Sequence, residues 1–514
     1  MQFNYRNGKT SSRKHVFLFN VLFFFPLFLF AQFDFNSNCR EAYRSILSLH
    51  FTEAGKILNA EKATHPFNLI PVYLENYIDF FSVFIGEEPS VFEKFRKTQE
   101  LRFDILKKGN MESPYYRYCL GNMRIQFALC RMKFGEYKSA ALDISRANGD
   151  LKENAQLHPD FLLTNSGLGL IHVLAGVIPD NYSWILRILG LEGNVQKGLD
   201  EIAVMAGYAG NNKTYQLFRI ESMFYLTFLD ATLGKDANNA LWILKKFEDQ
   251  KTSFPGFANP LLIFIKASIL TKAGKTDEAL QNLQEYHTSS EEFPFYYLEY
   301  LTGLNKLNRL DPDADLYFIR FLKNFRGQNY IKSGYQKLAW TFLIKGNILK
   351  YEEYIGKALN RGALLVDNDI QANREAKYKE QPNIILLKTR LLSDGGYVDR
   401  AIHLLMDQSV KSVVKTPKDL LEYNYRLGRI YQQSGKQSEA LKYFGITMRD
   451  GADQSWYFAE NAALQSGMIY EQNKEYRNAA QYYKLCLSMK NTEYKNSLDQ
   501  KARLGMKRIK PYLP

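Results

Sequence analysis

Cysteine is scarce. The 514 residues hold only Cys39, Cys119, Cys130 and Cys486, which excludes a disulfide-stapled scaffold. Cys119 and Cys130 are eleven residues apart. On one helix they share a face but sit ~16 Å apart, beyond disulfide reach, so they read as small buried hydrophobes. No C-x-x-C spacing occurs, which removes the usual zinc sites. The 15 prolines are few, as expected of a mostly helical chain. The seven histidines contain no H-E-x-x-H and no close pair. No stretch alternates between apolar and polar residues with hairpin turns at its ends, so no sheet is expected. Beyond residue 31 no apolar run is long enough to cross a bilayer.

What is present begins with an export signal. Arg6, Lys9, Arg13 and Lys14 form a basic region, and an apolar run from Val16 to Phe30 follows, broken only by Asn20 and Pro26. Ala31 is a small residue suited to cleavage before Gln32. Residues 1–31 are therefore expected to be a signal peptide. Because Leu29 is not small, an uncleaved anchor stays open as the alternative. Asn36, Ser37 and Asn38 before Cys39 do not fit a lipid-attachment site. The expected location is the periplasm, the outer membrane or the medium.

Charge is positive, at +13 overall. Removing the four leader cations leaves +9, a balance that favours anionic partners. Part of the excess lies in Lys495, Lys501, Arg503, Lys507, Arg508 and Lys510, read as a solvated last helix whose cations suit its C-terminal dipole. Export and scattered charge argue against nucleic acid.

Repeats decide the fold class. Leu427, Gly428 and Tyr431 precede Gly435, Ala440 and Phe444. The next unit repeats the order with Gly467, Tyr470, Tyr476, Ala479 and Tyr483. An earlier unit has Gly396, Ala401 and Leu405. The alanines Ala401, Ala440 and Ala479 recur every 39 residues. Small residues let the two helices of a pair approach, and aromatics fill the seam between pairs. Weaker units are marked by Gly135, Tyr137 and Ala140, by Gly274, Ala279 and Leu283, and by Tyr335, Leu338, Ala339, Phe342 and Gly346. The expected fold is all-α, a solenoid of helical hairpins. Its parts are a leader (1–31), an N-terminal helical region (32–215) and a repeat region (216–514) with the clearest units at 382–493.

These units resemble the tetratricopeptide repeat (TPR) superfamily, a likeness that implies a right-handed superhelix and a concave binding face lined by the first helix of each pair. The segment Gly167–Ala206 looks like the tetratricopeptide repeat protein 39 and inclusion-body-clearance family. There a Gly-rich apolar helix meets a proline, a second apolar helix, Gly-x-x-Gly and a Gly-Leu helix start. The matching positions are Gly167, Gly169, Pro179, Gly190, Gly193, Gly198 and Leu199.

Several motifs fail on inspection. Gly274-Lys275-Thr276 lacks the earlier glycine of a phosphate loop, where Ile269 stands, and reads as a repeat turn. Asp311, Asp313 and Asp315 imitate a calcium loop but continue with Leu316 and Leu322. Asp367, Asp369 and Gln371 continue with Ala372 and Tyr378. Both clusters read as helix N-terminal caps. His158 reads as a loop residue, and His172 as a satisfied, partly buried histidine. Asn165-Ser166-Gly167-Leu168-Gly169 misplaces the serine of a nucleophile elbow.

Function is therefore expected to be binding, not catalysis, with no cofactor or metal. The candidate groove residues are Tyr425, Arg429 and Gln432 from one pair, Leu464 and Met468 from the next, and Trp340 and Arg390 from earlier units. Asn461 and Glu471 lie on the same expected face. Aromatic, basic and amide groups in that mixture suit a protein or peptide partner. The alternative is a lipid-associated carrier that uses Leu168–Val177 and Trp184–Leu191 as an apolar pocket, so lipid stays open as a ligand.

Overall fold

The computed structural model describes residues 1–2, 32–177, 183–191, 193–211, 216–233, 241–242, 245, 259–286, 291–379, 381–490 and 493–513. Apart from its first two residues, the expected leader lies outside them, as does Pro179. Among the described residues the regular elements are helices, joined by one isolated bridge between Gln32 and Asn68. The chain is an all-α solenoid of helical hairpins.

Its clearest pairs are Pro417–Gln433 with Gln437–Gly451 and Phe458–Gln472 with Tyr476–Ser488. The first begins with a full capping box. The Thr416 side chain accepts from Asp419 N, and the Asp419 side chain accepts from Thr416 N, which satisfies donors that a helix start leaves open. The small-residue rule holds in both pairs. A Cβ on Gly428 would lie 2.5 Å from the Phe444 ring, and one on Gly467 would lie 2.7 Å from the Tyr483 ring. The rings of Phe444 and Tyr483 are fully buried, as are Ala440 and Ala479. Each ring contributes roughly 1.5–3 kcal/mol by leaving water.

Hairpins distant in sequence also meet. The turn after Pro260–Lys272 touches the turn after Ile384–Asp394. A Cβ on Gly396 would lie 1.8 Å from the Gly274 carbonyl oxygen, and both glycines have positive φ, +84° and +68°. Only glycine fits such a contact. The Tyr397 hydroxyl donates to Asp277 across it, at 2.8 Å. The helices Ile331–Ile344, Ile348–Asn360 and Asp367–Tyr378 lie between these hairpins in sequence and pack on one another. The odd third helix breaks the two-helix rhythm.

The N-terminal part closes onto this region. The buried Glu87 carboxylate accepts from Lys133 Nζ at 2.7 Å and from Asn329 Nδ2 at 2.7 Å. In the central segment, helices Leu163–Val177 and Val195–Asn211 cross at glycines. A Cβ on Gly169 would lie 2.6 Å from the Gly198 carbonyl oxygen. The apolar helix expected to wall a carrier pocket is thus in direct contact with another helix along this face. His172 is buried, with Nδ1 2.6 Å from Glu201 Oε2. All four cysteines are free and buried.

The two aspartate clusters correct the capping expectation. Asp313 occupies an N-cap position but makes no capping hydrogen bond, and accepts instead from Lys306 Nζ at 2.9 Å. Asp315 pairs with Lys345 at 2.9 Å. Asp369 caps a neighbouring helix and not its own. It accepts from Tyr330 N at 2.6 Å and Ser333 N at 2.8 Å. The last helix is also less plainly solvated than expected. Lys495 reaches the buried Glu460 at 3.1 Å, and Arg508 reaches the buried Glu471 at 3.0 Å.

Candidate ligand-binding cavity

Where the odd helix Asp367–Tyr378 interrupts the pairing, a cavity of about 740 Å³ opens between it and the following hairpins. Trp340 and Arg390 line it together. The Arg390 guanidinium lies 5.4 Å from the Trp340 ring centroid, and Lys337 Nζ lies over the same ring at 3.7 Å. Such stacking is favourable because the ring face is electron-rich.

The floor is a buried carboxylate. Glu375 accepts from Trp340 Nε1 at 2.9 Å, Gln336 Nε2 at 2.6 Å and the Tyr351 hydroxyl at 3.0 Å. Burial raises its pKa despite these donors. Burial and the neighbouring Arg390 charge lower that of Lys337, with Glu375 opposing. Burial also opposes ionisation of Arg390, but the Tyr457 and Tyr494 hydroxyls and Asp394 outweigh it and keep the guanidinium charged.

The rim is built from helix starts. Asn383 caps Ile384–Asp394, accepting from Ile385 N at 3.1 Å and Leu386 N at 3.3 Å, while its Nδ2 donates to Val413 O at 2.7 Å. Thr416 and Asp419 begin Pro417–Gln433, and Tyr457 and Phe458 begin Phe458–Gln472. Tyr494 is the N-cap of Lys495–Ile509 and faces the same space. Helix starts carry positive potential.

The other expected groove residues fall elsewhere. Tyr425 was expected on an open face but is buried, with its ring against Phe444, Tyr457 and Phe458. Leu464 is likewise buried. One turn of Pro417–Gln433 turns both faces toward neighbours, because the next pair covers the side expected to be free. Trp340 is buried too, with its ring edge held by Glu375 and its face under Lys337 and Arg390. Arg429, Gln432 and Met468 are half-buried. Arg429 donates to Gln432 at 2.8 Å and to Gln465 at 2.6 Å, and Gln465 Nε2 donates to Asn461 at 3.1 Å. Asn461 Nδ2 then donates to the Tyr425 hydroxyl at 2.7 Å. These polar groups form a ladder between the first helices of adjacent pairs. Sequence reasoning missed Glu375, Arg374 and Tyr494. Glu375 carried a signal, since a carboxylate amid the apolar-periodic positions Ala372 and Ala376 requires buried donors.

Among the described residues no group of three metal-binding side chains converges, and no helix is long and apolar enough to cross a membrane. The family model for Iml2/Tetratricopeptide repeat protein 39 matches residues 133–294, and a tetratricopeptide repeat model matches residues 421–445 and 461–493. The chain is a tetratricopeptide repeat superfamily protein with a central segment of the protein 39 type. The second match falls on the two pairs whose glycines and aromatics interlock. No curated protein matches the chain. Among solved structures it is similar to "Human IFIT1 dimer with PPP-AAAA", at 14% identity and a TM-score of 0.37, covering 83% of this chain and 98% of that one. TPR solenoids of this kind are typically non-catalytic scaffolds for protein–protein interaction.

Proposed function

We propose that this TPR protein is a non-enzymatic, exported scaffold of the cell envelope that holds a segment of another protein in the cavity around Trp340 and Arg390. The observation that carries this reading is the cavity itself, where a guanidinium stacked on a tryptophan sits beside several capped helix starts. Its volume of about 740 Å³ lies within the usual range of ligand clefts, ~300–1,000 Å³. The basic region, the apolar run and the Ala31–Gln32 boundary support export.

Two experiments test the two halves. N-terminal sequencing of protein recovered from the envelope is expected to begin near Gln32, and an intact Met1 on membrane-bound protein would indicate an anchor. For binding, the mature chain is used to capture partners from its own envelope extract, alongside Gln381→Trp. Gln381 is an exposed residue on the cavity wall, so the bulkier ring blocks the cavity and leaves the core intact. A specific partner lost with Gln381→Trp, but kept by Lys507→Ala/Lys510→Ala, supports the cavity. A partner that Gln381→Trp keeps and Trp184→Ala loses would move the site to the central segment and favour the carrier reading.

A further inference from the structure

The carboxylates around the cavity are already engaged by the protein. Glu375 holds three side-chain donors. Asp419 accepts from Lys415 N at 3.0 Å and Thr416 N at 3.1 Å. Glu422 is bound by Arg426 at 2.7 Å. Glu493 accepts from Tyr457 N at 3.1 Å and pairs with Arg374 at 3.2 Å.

Arg390 is different. Its carboxylate neighbour, Asp394, stands 3.5 Å from Nε on the same helix, and that side chain is half exposed. Around it stand the Trp340 ring, the Tyr457 and Tyr494 hydroxyl groups and, further off, the Glu422 carboxylate. A guanidinium carries five N–H donors in a planar fork that matches a carboxylate. Arg390 lines the cavity, is half-buried, and makes one long ion pair, to Asp394. Lys337 also lies over the Trp340 ring, where burial and the Arg390 charge favour its neutral form. The helix start at Asn383, capped by a neutral side chain, adds positive potential.

We infer that the cavity recognises an acidic peptide segment, with the carboxylate of an Asp or Glu side chain docked on Arg390 beside the Trp340 ring. This rests on the cavity reading and narrows it to one ligand chemistry. The aromatic walls supply low-dielectric surroundings in which a charged pair is worth more than in water. The donors already bound to Glu375, Asp419 and Glu493 hold those carboxylates in place, while Glu422, bound by Arg426, still adds negative charge near the arginine.

The test is selection from a random heptapeptide phage library on the immobilised mature chain, followed by anisotropy titration of the selected peptides. Asp or Glu is expected at a fixed position among the binders. Changing that residue to Asn or Gln, or using Arg390→Gln protein, is expected to weaken binding about tenfold or more. Arg390→Lys keeps the charge without the fork and is expected to lose less. Circular dichroism checks that each variant stays folded, and the peptide substitution on unaltered protein remains decisive if Arg390→Gln does not fold. Selected peptides that carry no acidic residue, or that depend only on a free C-terminal carboxylate, overturn this inference. If Gln381→Trp abolishes their binding, the cavity reading stands without it. Peptides indifferent to Gln381→Trp, or no enriched peptides at all, overturn both.

Discussion

The two C-terminal pairs and the region around the cavity use buried space differently. In the pairs, Gly428 faces Phe444 and Gly467 faces Tyr483 with almost the same clearance. The same side-chain types meet at the same positions, so one packing solution serves twice. Around Trp340 nothing repeats. Glu375, Lys337 and Arg390 are held by partners that come from several helices. A repeated seam is stabilised mainly by apolar burial and shape. A polar cavity is stabilised by satisfied donors and paired charges, and it leaves some capacity for a ligand.

On the seam side the contrast can be broken at Tyr425. Since its ring is buried among Phe444, Tyr457 and Phe458, Tyr425→Ala is expected to cost roughly 3–5 kcal/mol in stability. Chemical denaturation measures it. A loss under about 1 kcal/mol would mean that the ring is not part of the seam. Gly428→Leu and Ala440→Trp overpack the same seam and are each expected to cost ~1–3 kcal/mol or more. Hydrogen-exchange protection should fall across residues 421–490 and hold around Trp340. Equal loss in both places would show that the two regions are one cooperative unit.

Glu375→Leu tests the other side. It strands the Trp340, Gln336 and Tyr351 donors, at a cost of about 1–3 kcal/mol for each donor left buried and unpaired. The near-ultraviolet dichroism of Trp340 is expected to change while the C-terminal pairs keep their exchange protection. Unchanged aromatic dichroism would mean that the carboxylate does not position the ring.

A buried carboxylate also interrupts the regular array, at Glu460. Burial raises its pKa from 4.5 to about 8, with the Lys495 ammonium opposing. The folded state therefore holds this proton more tightly than the unfolded chain does. Its contribution is full below pH 4.5 and is lost as pH rises toward about 8. The melting temperature of the wild type should fall more between pH 5 and pH 8 than that of Glu460→Gln. Parallel curves would remove Glu460 from the pH response. The smallest effect is expected at Arg429, whose ladder to Gln432 and Gln465 is half exposed. Arg429→Ala should change stability by no more than about 1 kcal/mol. A larger loss would make the ladder a structural element of the seam.

The sequence by itself determined the helical class, the hairpin turns and the close-packed positions Gly428, Ala440, Gly467 and Ala479. Spacing carries that information, because small residues and aromatics must recur wherever the same two helices approach. It also showed that Gly169 and Gly198 belong to one segment, though not that their backbones touch. Only the tertiary structure decided which face of Pro417–Gln433 is covered. One turn holds both Tyr425 and Arg429, and helical periodicity does not say how far the next pair overlaps it. The cavity was invisible for a related reason. It depends on an odd helix that displaces its neighbours and on ion pairs between residues as distant as Arg374 and Glu493. Local pattern fixes what a helix can bury, while the stacking angle of the whole array decides what remains open to a ligand.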